Sequence, residues 1–225
     1  MTTTLVTAVN LARTFLIGSE EVHAVHDVNI EIVSGKLLAI TGRSGSGKTT
    51  LLNLLAGLDT PTSGTVLFEG QDLSKLAEWE LTDLRRHRIG FVFQSFGLLP
   101  LLSAFENVEL PLRIAKWDRE ERHRRTELCI DQVGLSARAR HRPYELSGGE
   151  LQRLAIARAL VHEPSLILAD EPTGELDLAT GQAIYALLKE ISSQENVGIV
   201  VATHDVVMAE IADEIKEISD GTFIS

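Results

Sequence analysis

The feature that most constrains this chain is the stretch "GRSGSGKT", spanning Gly42–Thr49. It fits the pattern Gly-x-x-x-x-Gly-Lys-Ser/Thr, in which a glycine-rich loop joins a β-strand to an α-helix and binds phosphate. A continuous apolar run, Lys36–Thr41, precedes the loop, and a helical pattern, Lys48–Gly57, follows it. The sequence therefore predicts a strand, a phosphate-binding loop and a helix in succession, within an α/β fold.

The residue types of this loop suit a nucleoside triphosphate better than an ordinary glycine-rich turn. Glycines let backbone N–H groups converge on phosphate oxygens at the positive end of a helix. Lys48 supplies a positive charge for the β- and γ-phosphates, and the Thr49 hydroxyl can ligate Mg²⁺. The residues predicted to bind nucleotide here are Gly42, Arg43, Ser44, Gly45, Ser46, Gly47, Lys48, Thr49 and Thr50.

A second motif, "LILADE", spans Leu166–Glu171 and predicts the other half of such a site. Its apolar run brings Asp170 to the carboxyl end of a buried strand, where open α/β sheets bind ligands. Asp170 is expected to hold Mg²⁺, directly or through water. Glu171, one residue later, points differently and can accept a proton from an attacking water.

Further patterns extend the α/β prediction along the chain. Val197–Thr203 is another continuous apolar run, whereas Val28–Val33 alternates as a half-buried antiparallel strand does. Asp220-Gly221 predicts a hairpin turn near the end of the chain. Predicted helices follow the buried runs at Thr180–Ser192 and Val206–Ala212.

The segment from about 95 to 161 has mainly helical patterns, at Ala104–Ala115, Arg124–Val133 and Ser147–Val161. No low-complexity linker separates it from its flanks. The sequence therefore predicts a single domain over residues 1–225, with an antiparallel β subdomain and an inserted helical subdomain at roughly 95–161.

Composition excludes some classes of protein. The net charge of −11 argues against broad electrostatic binding to nucleic acid or anionic lipid. No apolar stretch is long enough to span a bilayer, and the N-terminal residues lack the pattern of a secretory signal. The single cysteine, Cys129, excludes an intrachain disulfide and fits a reducing compartment. We therefore expect a cytoplasmic protein without direct membrane insertion.

Taken together, these motifs resemble those of an ATP-binding subunit of an ABC transporter. "LSGGE", Leu146–Glu150, is similar to the family's signature loop, which usually ends in Gln. Gln94 resembles the Q-loop glutamine, "GELD" the D-loop with Asp177, and His204 the switch histidine. Phe15 occupies the position of an aromatic residue that stacks on adenine. The motifs cover nearly the whole chain in the family's order.

The resemblance implies a P-loop NTPase (RecA-like) core, a mechanism and partners. Two copies would pair head to tail around two ATP molecules, each P-loop facing the partner's signature loop, Ser147, Gly148, Gly149 and Glu150. Glu171 would be the general base, His204 would contact the γ-phosphate, and Gln94 would sense Mg²⁺. Gln94 would also relay the nucleotide state to a groove that receives a membrane permease on the inner face of the membrane.

Glu150 is the departure that matters most, because an acid near the γ-phosphate is unfavourable. Ser147 and Glu150 also fit a capping box, Ser-x-x-Glu, at a helix start. We therefore expect Glu150 to turn toward the Ser147 backbone and to be tolerated.

Within the family, Gln94–Leu112 and Glu171–Asp177 look most like the LolD/MacB/FtsE-type group. Membrane partners of lipoprotein-release or macrolide-export type are therefore expected. An FtsE-like role in cell division, or a soluble ABC-type ATPase without a transporter, remains an alternative. The sequence does not identify the cargo.

Overall fold

A computed structural model of the chain describes residues 3–205 and 210–224. These residues form a six-stranded and a four-stranded sheet, with helices packed around them. The described strands are β1 (Thr4–Ile17), β2 (Glu20–Val33), β3 (Leu37–Thr41), β4 (Ser63–Phe68), β5 (Gln71–Asp72), β6 (Ile89–Phe93), β7 (Leu166–Asp170), β8 (Gly198–Thr203), β9 (Glu214–Ser219) and β10 (Thr222–Ile224). The described α-helices are α1 (Lys48–Leu55), α2 (Glu78–Arg88), α3 (Ala104–Ile114), α4 (Arg119–Gln132), α5 (Gly148–Leu160) and α6 (Leu178–Gln194).

The six-stranded sheet has the order β10-β9-β3-β8-β7-β6, and all its pairs are parallel except β9 with β10. Strands β3 and β8 are buried along their whole length, because helices and the second sheet cover both faces. This agrees with the continuous apolar runs that predicted them. The α/β prediction is confirmed, and the Asp220-Gly221 turn joins β9 to β10 as expected.

Strand β6 was not predicted, so the expected chain order of buried strands was incomplete. Its sequence, "IGFVF", follows helix α2 without an intervening turn residue. Gly90 lies within it, where a Cβ would sit 2.2 Å from the Ala159 carbonyl oxygen of α5. The glycine therefore allows helix and strand to approach closely, at the cost of a weaker strand pattern.

The four-stranded antiparallel sheet, β2-β1-β4-β5, contains the predicted Val28–Val33 strand as the end of a longer one. Strands β1 and β2 form a long hairpin, and irregularities in register fall between Ala8 and Thr14. Because such irregularities break the alternation of apolar and polar side chains, β1 has no clean period-two pattern.

Helices α3, α4 and α5 pack on one another and lie between β6 and β7 in the chain. Helix α4 begins at Arg119, earlier than the predicted Arg124, because the Asp118 side chain caps its first turn.

Residues 206–209 of the predicted helix Val206–Ala212 lie outside the described residues, and 210–212 form a turn and bend. Among the described helices, none is long and apolar enough to cross a membrane.

Candidate active site

Four neighbouring parallel strands end at the same edge of the sheet, and each is followed by a predicted site residue. The loop that leads to Lys48 follows β3, and Gln94 follows β6. Asp170 ends β7, and His204 follows β8. The fold therefore gathers four motifs that are far apart in sequence, at the edge where parallel sheets bind ligands.

The loop after β3 lines a cleft and needs glycine at a close backbone approach. Gly47 has φ of 104°, and a Cβ there would lie 2.1 Å from the Ala24 carbonyl oxygen. Only glycine fits this position without moving the hairpin strand β2. Gly47 caps α1 without a side-chain hydrogen bond, and the first turn has no acidic residue. The first N–H groups of α1 therefore remain available to an anion.

Lys48 lies folded against this loop. Its Nζ donates hydrogen bonds to the carbonyl oxygens of Gly42, at 2.7 Å, and Arg43, at 3.1 Å. The same Nζ lies 3.4 Å from Glu171 Oε1, and the side chain is only 6% exposed. A buried ammonium held by two carbonyls and one carboxylate is already positioned for a phosphate group.

Thr49 and Asp170 form a pair of oxygen donors beside Lys48. The Thr49 hydroxyl donates to Asp170 Oδ2 at 2.8 Å. Asp170 Oδ1 is buried and has no hydrogen-bond partner in the part of the chain that the structure describes. Burial raises the pKa of this carboxyl, since its charge is poorly solvated. A hydroxyl beside an unsatisfied carboxylate oxygen fits the hard oxygen coordination that Mg²⁺ requires.

Glu171 has a strained backbone and a highly connected side chain. Its φ is 46°, which is uncommon for a residue with a side chain. Its N–H donates to the Ala202 carbonyl oxygen at 2.9 Å, which ties it to β8. Its Oε2 lies 2.9 Å from His204 Nδ1 and 3.3 Å from the His204 backbone nitrogen. The carboxylate is therefore held by His204 on one oxygen and by Lys48 on the other.

Two clefts meet at these residues, and Ser44, Gln94 and Glu171 line both. One, of about 690 Å³, also contains Lys48 and Asp170 in its wall. The other, of about 680 Å³, also contains His204. The predicted residues that line one or both are Gly42, Arg43, Ser44, Gly45, Gly47, Lys48, Thr49, Thr50, Gln94, Asp170, Glu171 and His204. A larger groove of about 820 Å³ lies beside α3 and α4, and no predicted site residue lines it.

The signature segment, Ser147–Glu150, lies at the start of α5 and lines neither cleft. Both hydrogen bonds of the expected capping box are present. The Glu150 N–H faces Ser147 Oγ at 3.4 Å, and the Ser147 N–H donates to Glu150 Oε2 at 2.9 Å. Glu150 thus turns toward the backbone. The hydrogen bonds from Ser147, together with Arg138, lower the pKa of the Glu150 carboxyl.

Asp177 caps α6 next to the signature segment. Its side chain accepts hydrogen bonds from the Thr180 N–H, at 3.0 Å, and the Thr180 hydroxyl, at 2.7 Å. A Cβ on Gly149 would lie 2.6 Å from Thr180 Cγ2, and one on Gly148 would lie 3.2 Å from Leu176 Cδ2. The two glycines therefore let the signature segment pack directly on the segment that contains Asp177.

Phe15 lies on β1 and is not among the described residues that line the clefts. The Arg13 guanidinium lies over its ring, 4.4 Å from the centroid, and Arg13 also pairs with Asp59 at 2.8 Å. One face of the ring is therefore covered by a cation. Stacking of Phe15 on adenine stays a prediction.

Sequence reasoning missed two arginines near these motifs. Arg138 binds Glu150, with 3.2 Å between Nε and Oε1. Arg158, on α5, donates to the carbonyl oxygens of Phe96, at 2.9 Å, and Gly97, in the turn after Gln94. Neither contact has a local sequence signal, because both depend on how the loops fold back.

Comparisons with known proteins identify one family that this chain is similar to. Residues 25–174 match the sequence family described as ABC transporter. A dimeric structure of MJ0796, described as a bacterial ABC transporter cassette, is 43% identical over 98% of this chain and 97% of that chain, with a TM-score of 0.89. A second dimeric structure of MJ0796, in a post-hydrolysis state bound to ADP and Pi, has 43% identity, the same coverage and a TM-score of 0.88. CbiO1 from Clostridium perfringens, part of the ABC transporter complex cbiONQ, is 28% identical over 99% of this chain and 87% of that chain, with a TM-score of 0.89.

Proposed function

Because this chain belongs to the ABC transporter family, as an ATP-binding and ATP-hydrolysing cassette, we propose that its two-copy assembly drives a membrane partner. Two copies close head to tail on two ATP molecules, and hydrolysis lets them separate. The single domain spans residues 1–225, and the helical subdomain at roughly 95–161 connects the nucleotide to the partner. The chain is then cytoplasmic and attached to the inner face of the membrane through that partner.

One observation carries the head-to-tail proposal. The signature segment lines neither of the clefts that contain the P-loop of the same chain. Yet it forms the start of a 13-residue helix with two glycines, which leaves N–H groups open to an anion. A second copy can bring those groups to the γ-phosphate. ATP then favours the closed state through its higher affinity for that state.

In the hydrolytic step, Glu171 is the general base. A water attacks the γ-phosphorus, a new P–O bond forms, and the bond to the β–γ bridging oxygen breaks. Glu171 takes the proton of the water, while His204 holds the carboxylate through its Nδ1 and contacts the γ-phosphate. The 2.9 Å contact between Glu171 and His204 supports these roles.

Other residues bind and orient the triphosphate. Lys48 exchanges its carbonyl partners for the β- and γ-phosphates. Thr49 and Asp170, together with Gln94, are the residues that would hold Mg²⁺. When bound, that ion neutralises phosphate charge as the transition state develops. Phe15 supports the adenine ring.

The partner we propose is a permease of the lipoprotein-release or macrolide-export type. The support is the likeness of Gln94–Leu112 and Glu171–Asp177 to the LolD/MacB/FtsE-type group. The permease contacts the turn after Gln94 and the neighbouring helical subdomain. The cargo is determined by the permease.

The proposal is tested by co-expressing the chain with a candidate permease of the lipoprotein-release or macrolide-export type. We expect two copies of the chain to co-purify with the permease in detergent, and ATPase activity to change on reconstitution with it. Release of a lipoprotein or peptide from vesicles distinguishes transport from signalling in cell division. An active ATPase that binds no membrane protein would contradict the transporter role and favour a soluble ABC-type ATPase.

A further inference from the structure

Arg138 contacts the signature segment from a separate part of the chain. It lies twelve residues before Glu150, in a short helical turn at Ser136–Arg138 that follows α4. Its Nε donates to Glu150 Oε1 at 3.2 Å, and its Nη1 lies 3.4 Å from His141 Nε2. The pair is partly exposed, with side-chain exposure of 49% for Arg138 and 20% for Glu150.

The two oxygens of Glu150 have separate partners. Oε2 accepts hydrogen bonds from the Ser147 N–H, at 2.9 Å, and the Ser147 hydroxyl, at 2.8 Å. Oε1 is left for Arg138. The capping box accounts for the first oxygen, and among the described residues Arg138 alone contacts the second.

We propose that Arg138 is a positioning residue for the signature segment, holding Glu150 against the helix start and offsetting its charge. The γ-phosphate bound by the second copy can then approach Ser147, Gly148 and Gly149. This inference rests on the proposed head-to-tail dimer.

The physical reason is electrostatic. A helix N-terminus attracts an anion through its free N–H groups, but a carboxylate already placed there repels a second anion. Hydrogen bonding from Ser147 keeps the Glu150 pKa low, so the carboxylate stays charged. The Arg138 guanidinium beside Glu150 Oε1 makes the pair close to neutral. Repulsion of the incoming phosphate is then reduced while the cap is retained.

Glutamine at position 150 provides the critical comparison. A capping box accepts Gln as well as Glu, so Glu150→Gln keeps the cap and removes the charge. Arg138 then has nothing to offset. Replacing Arg138 should weaken ATP-dependent dimerisation in the native background. It should have almost no effect on dimerisation in the Glu150→Gln background.

The experiment uses Arg138→Gln, Glu150→Gln and the double variant. Arg140→Gln is the matched control, because Arg140 is an exposed arginine two residues away with no ion pair among the described residues. Each is measured for ATPase kinetics and melting temperature. Each is also combined with Glu171→Gln, and ATP-dependent dimerisation is followed by light scattering at low and high salt.

For Arg138→Gln we expect the KM for ATP to rise with little change in kcat. An exposed pair changes an equilibrium by up to about fivefold. Because each dimer contains the pair twice, the dimerisation constant should fall by about twofold to twenty-five-fold at low salt, and less at high salt. The double variant should match Glu150→Gln within about twofold, and Arg140→Gln should match the native chain.

Two results would overturn the inference. One is an equal loss of dimerisation on removing Arg138 in both backgrounds, since Arg138 would then act without Glu150. The other is a lower melting temperature with unchanged KM and dimerisation, which assigns Arg138 to folding alone. Absence of any ATP-dependent dimer in the parent Glu171→Gln chain would instead contradict the proposed dimer itself.

Discussion

His204 Nδ1 lies 2.9 Å from Glu171 Oε2, so one hydrogen bond joins the residues that follow two adjacent strands, β7 and β8. The backbone N–H of His204 faces the same oxygen, at 3.3 Å. The second oxygen of Glu171 lies 3.4 Å from Lys48. Any change at Glu171 therefore also changes the contacts of His204 and of Lys48 in the phosphate loop.

Replacing Glu171 by glutamine should separate binding from chemistry. The amide keeps a hydrogen-bonding oxygen but cannot accept the proton of the attacking water. We expect ATP affinity to change little, while kcat falls by roughly two to four orders of magnitude. The uncleaved nucleotide should trap a dimer. Phosphate release and light scattering with ATP and Mg²⁺ measure the two effects.

Glu190→Gln is the matched control for that experiment. Glu190 is an exposed acid on α6, outside the predicted site, and it lines neither cleft. It should retain native turnover. If the Glu171→Gln chain stays monomeric with ATP and still hydrolyses it, Glu171 is not the base.

Lys48→Ala should remove the principal cation for the phosphates. Truncating one partner of a buried charged contact costs about 2–5 kcal/mol, so we expect ATP affinity to fall at least about thirtyfold. Calorimetric titration with a nonhydrolysable ATP analogue measures it. Lys75→Ala, at a lysine whose side chain is 80% exposed, is the control. Equal affinities for the two variants would be incompatible with the assigned site.

Gly90→Ala should destabilise the contact between β6 and α5. The added Cβ would sit 2.2 Å from the Ala159 carbonyl oxygen, so the backbone must move. We expect the free energy of unfolding to fall by about 2–3 kcal/mol. Urea denaturation measures this loss.

Gly134→Ala serves as the comparison, because φ there is 72° and no neighbouring atom of the described residues lies within 4 Å of the new Cβ. Strain alone should cost it about 1–2 kcal/mol. A smaller loss for Gly90→Ala than for Gly134→Ala would show that strand and helix separate easily.

His162 should make the fold sensitive to acid. Burial lowers its pKa from 6.5 to about 4, and its Nε2 lies 3.2 Å from the Ile89 carbonyl oxygen. The unfolded chain therefore binds a proton between pH 6.5 and about 4 that the folded chain does not. The free energy of unfolding falls as the pH falls through this window, by about 2 kcal/mol at pH 5 for this residue.

Urea denaturation at pH 7.5 and pH 5 checks this prediction. His162→Gln keeps a donor for the Ile89 carbonyl but does not titrate, so its loss of stability between the two pH values should be smaller than that of the native chain. His123→Asn, at an exposed histidine of α4, should keep the native loss. Identical losses for all three chains would exclude His162 as the source.

The parts that the sequence predicts well are those in which the pattern is local. The P-loop lies between a continuous apolar run and a helical pattern, and "LILAD" is the whole of β7. Strand β6 lacks such a pattern, because Gly90 and the end of α2 interrupt it. The register irregularities of β1 hide that strand in the same way.

Contacts between segments were harder to predict. The capping box at Ser147 lies within four residues and was expected. The Arg138 contact requires the chain at 139–146 to fold back, and no local pattern encodes that path. The position of Arg13 over the Phe15 ring was equally hard to predict. It depends on the ion pair of Arg13 with Asp59, which lies 46 residues further along the chain.

Helix α5 joins two of these motifs through a fixed length. Ser147 caps its start, and Arg158, eleven residues later, binds the turn after Gln94. That spacing is about 16 Å along the helix axis. One inserted residue between them would turn Arg158 about 100° around the axis and detach it from that turn, although every motif would survive unchanged. Natural variants should therefore differ in length in loops such as 115–118, while the number of residues from Ser147 to Arg158 is inherited intact.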